Sequence, residues 1–523
     1  MEGLRRDNLV ARTMFPRTLA VLVIFFGFVL SGCKANLGEE TWYQVESDNF
    51  RIVTNGDPAA VKTLAADLER YRAVALQLLD APQDSQKLTI YAAADRKSYA
   101  GLVGEELAEM TNGLFDTTAQ GSYALVNLDG RNGKRQLRAR EFLFHEYTHF
   151  LSYNGNTTHY PYWYSEGFAE FMSTMTFTQN GGYQLGAIPE ERAMTLIFAS
   201  QMPLEKLLRA TVSNTTGDEK AQVYASGWML AHWLIMESGK VEQFKDYVKA
   251  YNNGADPVKA LETSLGMSLA QIEEKYEAMF EKGSFNLVGG AIPADFREAR
   301  PVVSKLAPRT AVAEIGHFLV MSGYNLDGLL DLLQYAHLAG VDSPKLTAVQ
   351  ADAETHVGNF ERAGQLLASI PARYRDEIWY KNVDAWLGLN RQVNRPGDAR
   401  SRDELKKVRD QFVFLVNNDS DTASHWYGLA MSMEMLDYPR EKYVEMLEQA
   451  YLRAPRQVHI AQWLARELYE QQDAEFFAHV AQPLMLELES EEEFEQMKAM
   501  LAEMQGQKKS TDKARTTLAR KEG

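Results

Sequence analysis

The chain has 523 residues, of which 45% are hydrophobic and 24% charged, with a formal net charge of −16. These are globular proportions, and the length allows two to four domains. The acidic balance argues against nucleic acid as a partner and against a protein surface that hugs anionic lipid, and the single cysteine, Cys33, leaves no intramolecular disulfide to staple the fold.

The N-terminus reads as an export signal. Arg5, Arg6, Arg12 and Arg17 form a basic region, and Leu19–Val29 is an apolar run too short for a confident membrane span. It ends in Leu30-Ser31-Gly32-Cys33, which resembles the lipobox of bacterial lipoproteins. The resemblance implies a signal peptide over 1–32, lipidation of Cys33, and a tether over 33–48. Lys34, rather than Asp, resembles lipoproteins sorted to the outer membrane, which implies a lipid-anchored protein of the bacterial cell envelope facing the periplasm. A plain signal anchor is the alternative. Acylation by more than one chain is implied, since one chain anchors weakly.

A mixed region follows. Phe50–Thr54 reads as a strand, Asn55-Gly56 as a turn, and Asp57 as a helix cap with Pro58 at the first helical position. Val61, Leu64, Leu68, Tyr71, Ala75 and Leu78 recur at helical spacing. Leu88–Tyr91, Gly113–Phe115 and Tyr123–Asn127 read as further strands.

Next comes Phe144-His145-Glu146-Tyr147-Thr148-His149-Phe150, an H-E-x-x-H sequence. Residues four apart share one helix face, so His145 and His149 can grip one metal ion. Glu146 stands beside them as a candidate general base. Two core histidines stacked by chance are the bland alternative. A second stretch, Ser165-Glu166-Gly167-Phe168-Ala169-Glu170, begins another helix one short loop later. Catalytic zinc takes three protein ligands and keeps one open position, and two His plus a Glu is an established set.

H-E-Y-T-H followed by S-E-G-F-A-E resembles the gluzincin, or peptidase MA-like, zinc metallopeptidases. The resemblance implies zinc bound by His145, His149 and Glu166, with Glu170 fixing a ligand histidine from outside the metal shell. The reverse assignment, Glu170 as ligand and Glu166 as helper, is the alternative. Strands before a zinc helix follow the order of that catalytic domain. In gluzincins an edge strand binds extended substrate by β-addition. Gly121–Leu128 is the candidate for it, with an ordinary sheet strand as the equal alternative.

Ala193–Phe280 reads as almost wholly helical. Within it Gln222–Leu234 resembles a helix of the same group, in which a Tyr steadies the oxyanion; Tyr224 is the match. His232, two turns on, is the runner-up donor. Each could instead be core packing on an apolar helix.

Gly283–Pro308 is rich in glycine and proline and marks a boundary. Beyond it, Gly358–Ala363 and His425–Pro455 resemble parts of tetratricopeptide repeats, in a degenerate form. Asn394–Ser401 reads as a loop and the polar stretch 506–523 as a disordered tail.

The whole reads as an α+β protein: signal peptide 1–32, tether 33–48, a gluzincin-like domain 49–283 with a mixed sheet, zinc helix and helical subdomain, a linker 284–307, an α-helical repeat domain 308–505 and the tail. The implied activity is hydrolysis of protein or peptide substrates at zinc. No G-x-M-E-N stretch is present, so an endopeptidase fits better than an aminopeptidase. The rival reading is an inert metallopeptidase-like protein whose repeats hold envelope partner proteins. A zinc hydrolase of non-peptide amides is a third.

Overall fold

The computed structural model describes residues 37–79, 87–129, 135–153, 158–178, 180–198, 202–212, 214–488, 490, 492–504 and 506. The signal peptide, Cys33 and almost all of the tail lie outside the described residues. No helix among the described residues is long and apolar enough to cross a membrane.

The first half runs β1 (Tyr43–Glu46), β2 (Phe50–Thr54), α1 (Pro58–Leu79), β3 (Leu88–Ala93), α2 (Arg96–Val103), α3 (Glu105–Met110), β4 (Gly113–Thr118), β5 (Gly121–Asn127) and α4 (Arg135–Tyr153). Then follow α5 (Tyr162–Ser173), β6 (Thr176–Phe177), β7 (Gly182–Leu185), α6 (Glu190–Phe198), α7 (Leu204–Leu208), α8 (Gly217–His232), α9 (Val241–Asn252), α10 (Pro257–Leu265) and α11 (Leu269–Lys282). The expected strands, the cap and the helical stretch after the metal motif are all there. Asp57 accepts the Ala59 amide at 3.0 Å, which fixes the start of α1.

The main sheet has six strands in the order β4-β5-β3-β2-β1-β9, where β9 is Val302–Lys305. β2, β3 and β5 run parallel; β4, β1 and β9 are antiparallel to their neighbours. The candidate substrate strand therefore needs correcting. β5 is internal, paired on one side with β3 and on the other with β4. β4 is the edge, because the tight turn at Ala119-Gln120 folds it back along β5.

Alternation along these strands sends neighbours to opposite faces. Ile52, Ile90 and Ala124 join one core with α1 and α4; Val53, Tyr91 and Leu125 join another. Both faces are buried, which is why the strands read as continuous apolar runs.

The second face is covered from far along the chain. The stretch expected as a linker supplies β9 and β8 (Val288–Ala291), which pairs with β7 in a small sheet. The helices α12 (Pro308–Ser322), α13 (Leu326–Leu338) and α14 (Pro344–His356) follow. Ile315 and Phe318 of α12, Leu332 of α13 and Val349 of α14 share a core with Tyr91 and Leu125. A sequence written as pure helix after residue 308 thus completes the sheet domain, as a sheet buried on both faces requires.

The rest is helical: α15 (Phe360–Ser369), α16 (Ile378–Val393), α17 (Arg402–Asn418), α18 (Ala423–Met435), α19 (Arg440–Arg453), α20 (Val458–Glu470) and α21 (Ala474–Glu487). The two stretches read as helix hairpins are hairpins, α14–α15 and α18–α19. Gly358 takes φ +81° at the first turn, a conformation an L side chain rarely adopts. Asn394–Ser401 is a loop with one short turn of 3₁₀ helix.

Two contacts hold the metal motif in place. Tyr71 of α1 stacks on Phe144 of α4 at 4.0 Å, and its hydroxyl hydrogen-bonds Thr148 at 2.6 Å. Helices α5 and α8 cross backbone to backbone: a Cβ on Gly167 would lie 2.1 Å from the Gly227 carbonyl carbon, and one on Gly227 would lie 2.4 Å from the Trp163 carbonyl oxygen. Neither neighbour can yield, since both are main chain. Gly167→Ala should therefore push the helices apart, costing about 1–3 kcal/mol and weakening metal binding. Gly217→Ala, where a Cβ meets open space, should leave the melting temperature and metal affinity near the parent's. Calorimetry with and without zinc checks both.

Candidate metal centre

α4 presents His145 and His149 on one face, as their spacing requires. Phe144, Tyr147 and Phe150 point the other way into the core. The two Nε2 atoms lie 3.1 Å apart, with the rings inclined at 76°. α5 is anchored by buried Trp163, Gly167, Ala169 and Phe171, which leaves Glu166 and Glu170, four apart, facing α4. Glu166 Oε2 is 3.3 Å from His145 Nε2 and 3.4 Å from His149 Nε2.

These three atoms form a nearly equilateral triangle. Donors bound to one tetrahedral zinc at 2.0–2.1 Å stand about 3.3 Å from one another. The second bonds of the imidazoles agree. His145 Nδ1 lies 3.5 Å from Glu170 Oε1, and Ser165 Oγ lies 3.4 Å from His149 Nδ1. Glu170 beside His145 Nδ1 favours the tautomer that leaves Nε2 free to bind a metal. Glu166 Oε2 is buried without a hydrogen-bond partner. An orphaned carboxylate oxygen facing two imidazole nitrogens is unfavourable until a cation sits among them, so the residues fit a metal. Among the described residues, His145, His149 and Glu166 are the group of metal-ligating side chains close enough to share one ion.

The electrostatics follow. Burial pushes the Glu166 carboxyl up, but His149 and His145 outweigh it and hold it well below the usual carboxylate range. For Glu146 the balance falls the other way. Desolvation, reinforced by Glu166 and Glu170 and opposed by His149, pushes it up to about 8. It thus sits in the range of a tuned acid–base group.

Tyr224 comes to the same place. Its ring lies parallel to that of His145, with centroids 5.9 Å apart. Burial, and then the negative charge of Glu166, push its phenol far up, so it remains a proton donor. His232 does not join the group. It is fully buried, packs on Phe171, Trp228 and Phe285, and its Nε2 lies 3.0 Å from the Asn286 carbonyl.

Some residues of the site carried no sequence signal. Arg192 of α6 pairs with Glu170 at 2.8 Å and lies over the Tyr224 ring at 5.0 Å, joining the two. Its partners are set by packing alone. Ser165 was within reach of a sequence reading, since it directly precedes Glu166. The cleft above Glu166, about 350 Å³, is lined by Phe115, Asp116 and Thr117 of β4, by Tyr160 and Tyr162, and by the distant Arg456, Gln457 and Glu487.

The model of the collagenase family Peptidase_M9 matches residues 117–280. The matched stretch starts on β4, ends in α11 and contains all of the residues named around the triangle. No curated protein and no solved structure matches the chain. That family is one of zinc metalloproteases, and a His-His-Glu group positioned for a metal ion lies inside the match, so zinc is the cofactor this centre takes.

Purified protein should bind about one zinc per chain, and His145→Ala should lose it. Glu170→Ala removes the partner of His145 Nδ1 while leaving the triangle intact. It should lower zinc affinity by about 10–100-fold, read by competition with a chromogenic chelator.

Proposed function

We propose that this protein is a zinc endopeptidase of gluzincin type, tethered to the bacterial envelope by lipid on Cys33. The observation that carries the reading is the triangle of His145, His149 and Glu166 with Glu146 and Tyr224 beside it. An inert scaffold has no need of a buried carboxylate oxygen left unsatisfied.

Zinc held by the three ligands would supply an activated water and polarise the scissile carbonyl. The remaining work falls to the chain. Glu146 accepts the proton of the attacking water and passes it to the leaving amine. Tyr224 donates to the oxyanion, a role its high proton affinity and nearness to the centre support. Glu170 and Arg192 keep His145 and Tyr224 in register. The hairpins after the sheet domain form a tetratricopeptide-like region that could also hold partner proteins.

Glu146→Gln should keep zinc and lose hydrolysis of a peptide library; unchanged cleavage would exclude Glu146 as the base. Tyr224→Phe should lower kcat by about 100- to 1,000-fold with KM and zinc content little changed. If His232→Ala shows that loss instead, His232 is the donor.

The anchoring reading rests on Leu30–Cys33 after a short apolar run. Cys33→Ser should abolish fatty-acid labelling and processing at Gly32–Cys33, and a Cys33→Ser protein still labelled and processed would exclude it.

A further inference from the structure

The strand beside the metal centre is engaged by the C-terminal region at its Thr117 end. β4 is the edge of the main sheet, and half of its backbone groups point away from β5. An extended peptide binding along it would use those outward groups. One of them, the Thr117 carbonyl, instead accepts the Gln457 side-chain amide at 2.5 Å. At the adjoining turn the Ala119 carbonyl accepts the Ser424 backbone N–H at 2.7 Å. Ser424 lies in the first turn of α18, where N–H groups lack partners within the helix. That helix start is satisfied by the sheet's hairpin.

The same helical region reaches the opposite wall of the cleft. Glu487 at the end of α21 lies 3.5 Å from His159 Nε2, in the connection between the two metal helices, and 2.8 Å from Arg456. Arg456, Gln457 and Glu487 line the cleft together with Glu166. The C-terminal region therefore straddles the groove, touching β4 on one side and the α4–α5 connection on the other. The anchors named here are polar, the character of an interface that opens and closes.

We propose that the C-terminal helical region is an autoinhibitory cap that occupies the outer edge of β4, where an extended peptide would add as a strand. This rests on the peptidase reading. In the capped form Gln457 and Ser424 take acceptors that the substrate backbone needs. Hydrolysis of a protein substrate requires the helices to move off β4, and whatever loosens them activates the enzyme.

The test uses the full mature chain loaded with zinc, fluorescein-labelled casein as substrate, and hydrogen exchange along β4. Gln457→Ala combined with Glu487→Ala removes one anchor from each wall. It should speed exchange of the β4 amides and raise casein turnover by about tenfold, as loss of two polar contacts of ordinary strength implies. The opposite change is a pair of cysteines, Ala119→Cys with Ser424→Cys, in a Cys33→Ser background. Their backbones touch through the 2.7 Å hydrogen bond, so an oxidised pair locks the cap; turnover should fall and return with reductant. An active parent whose rate neither change alters would overturn the cap. If β4 exchange rises in the opened variant while neither zinc-loaded chain cleaves casein, it is the peptidase reading that fails, and the cap as a regulator falls with it.

Discussion

Two imidazole nitrogens and one carboxylate oxygen converge within 3.1–3.4 Å of one another, the spacing at which they can share one cation. This constraint organises the structure around His145, His149 and Glu166. No helix arrives at such a geometry by its own propensity, so packing must impose it. α4 is pinned by the Tyr71–Phe144 stack and the Tyr71–Thr148 hydrogen bond. α5 is pinned by the glycine crossing with α8, which brings Glu166 and Tyr224 to the same centre. The interior energy of the sheet domain holds in place an arrangement that is unfavourable by itself and becomes favourable with metal bound.

Around that centre the protons are sorted by environment. Glu166, facing two histidines, stays ionised, while Glu146, where burial outweighs the single opposing influence of His149, holds its proton to much higher pH. The surroundings thereby separate the two carboxylates in proton affinity, and the proposed roles of ligand and base follow that separation. Arg192 pairs with Glu170 and lies over the Tyr224 ring, so the outer partners of the centre form one connected set.

Local features were legible in the sequence. The Asp57-Pro58 start, the strand runs and the His–Glu–His spacing are short-range statements, and each has its counterpart in the structure. Glu166 was legible because S-E-G-F-A-E one short loop after H-E-Y-T-H resembles the gluzincin pattern. What depended on tertiary packing was not legible. Arg192 finds Glu170 only because α6 folds beside α5. The edge and inner strands were exchanged, since periodicity gives a strand's faces but not its neighbours. The stretch 284–307 looked like a linker because β8 and β9 are short and flanked by glycine and proline, and the helices after it looked separate because no pattern reveals that α12–α14 roof a sheet. Nothing in Arg456, Gln457 or Glu487 marks them as the far wall of a cleft whose floor lies some 300 residues earlier in the chain.

X-ray absorption at the zinc edge of the purified full-length protein tests the central claim most directly. The account predicts a four-coordinate site of nitrogen and oxygen scatterers at about 2.0–2.1 Å, with multiple scattering from two imidazoles and no sulfur, and loss of the bound zinc in His149→Ala. A spectrum with a single imidazole, with sulfur, or with an octahedral oxygen shell would contradict it.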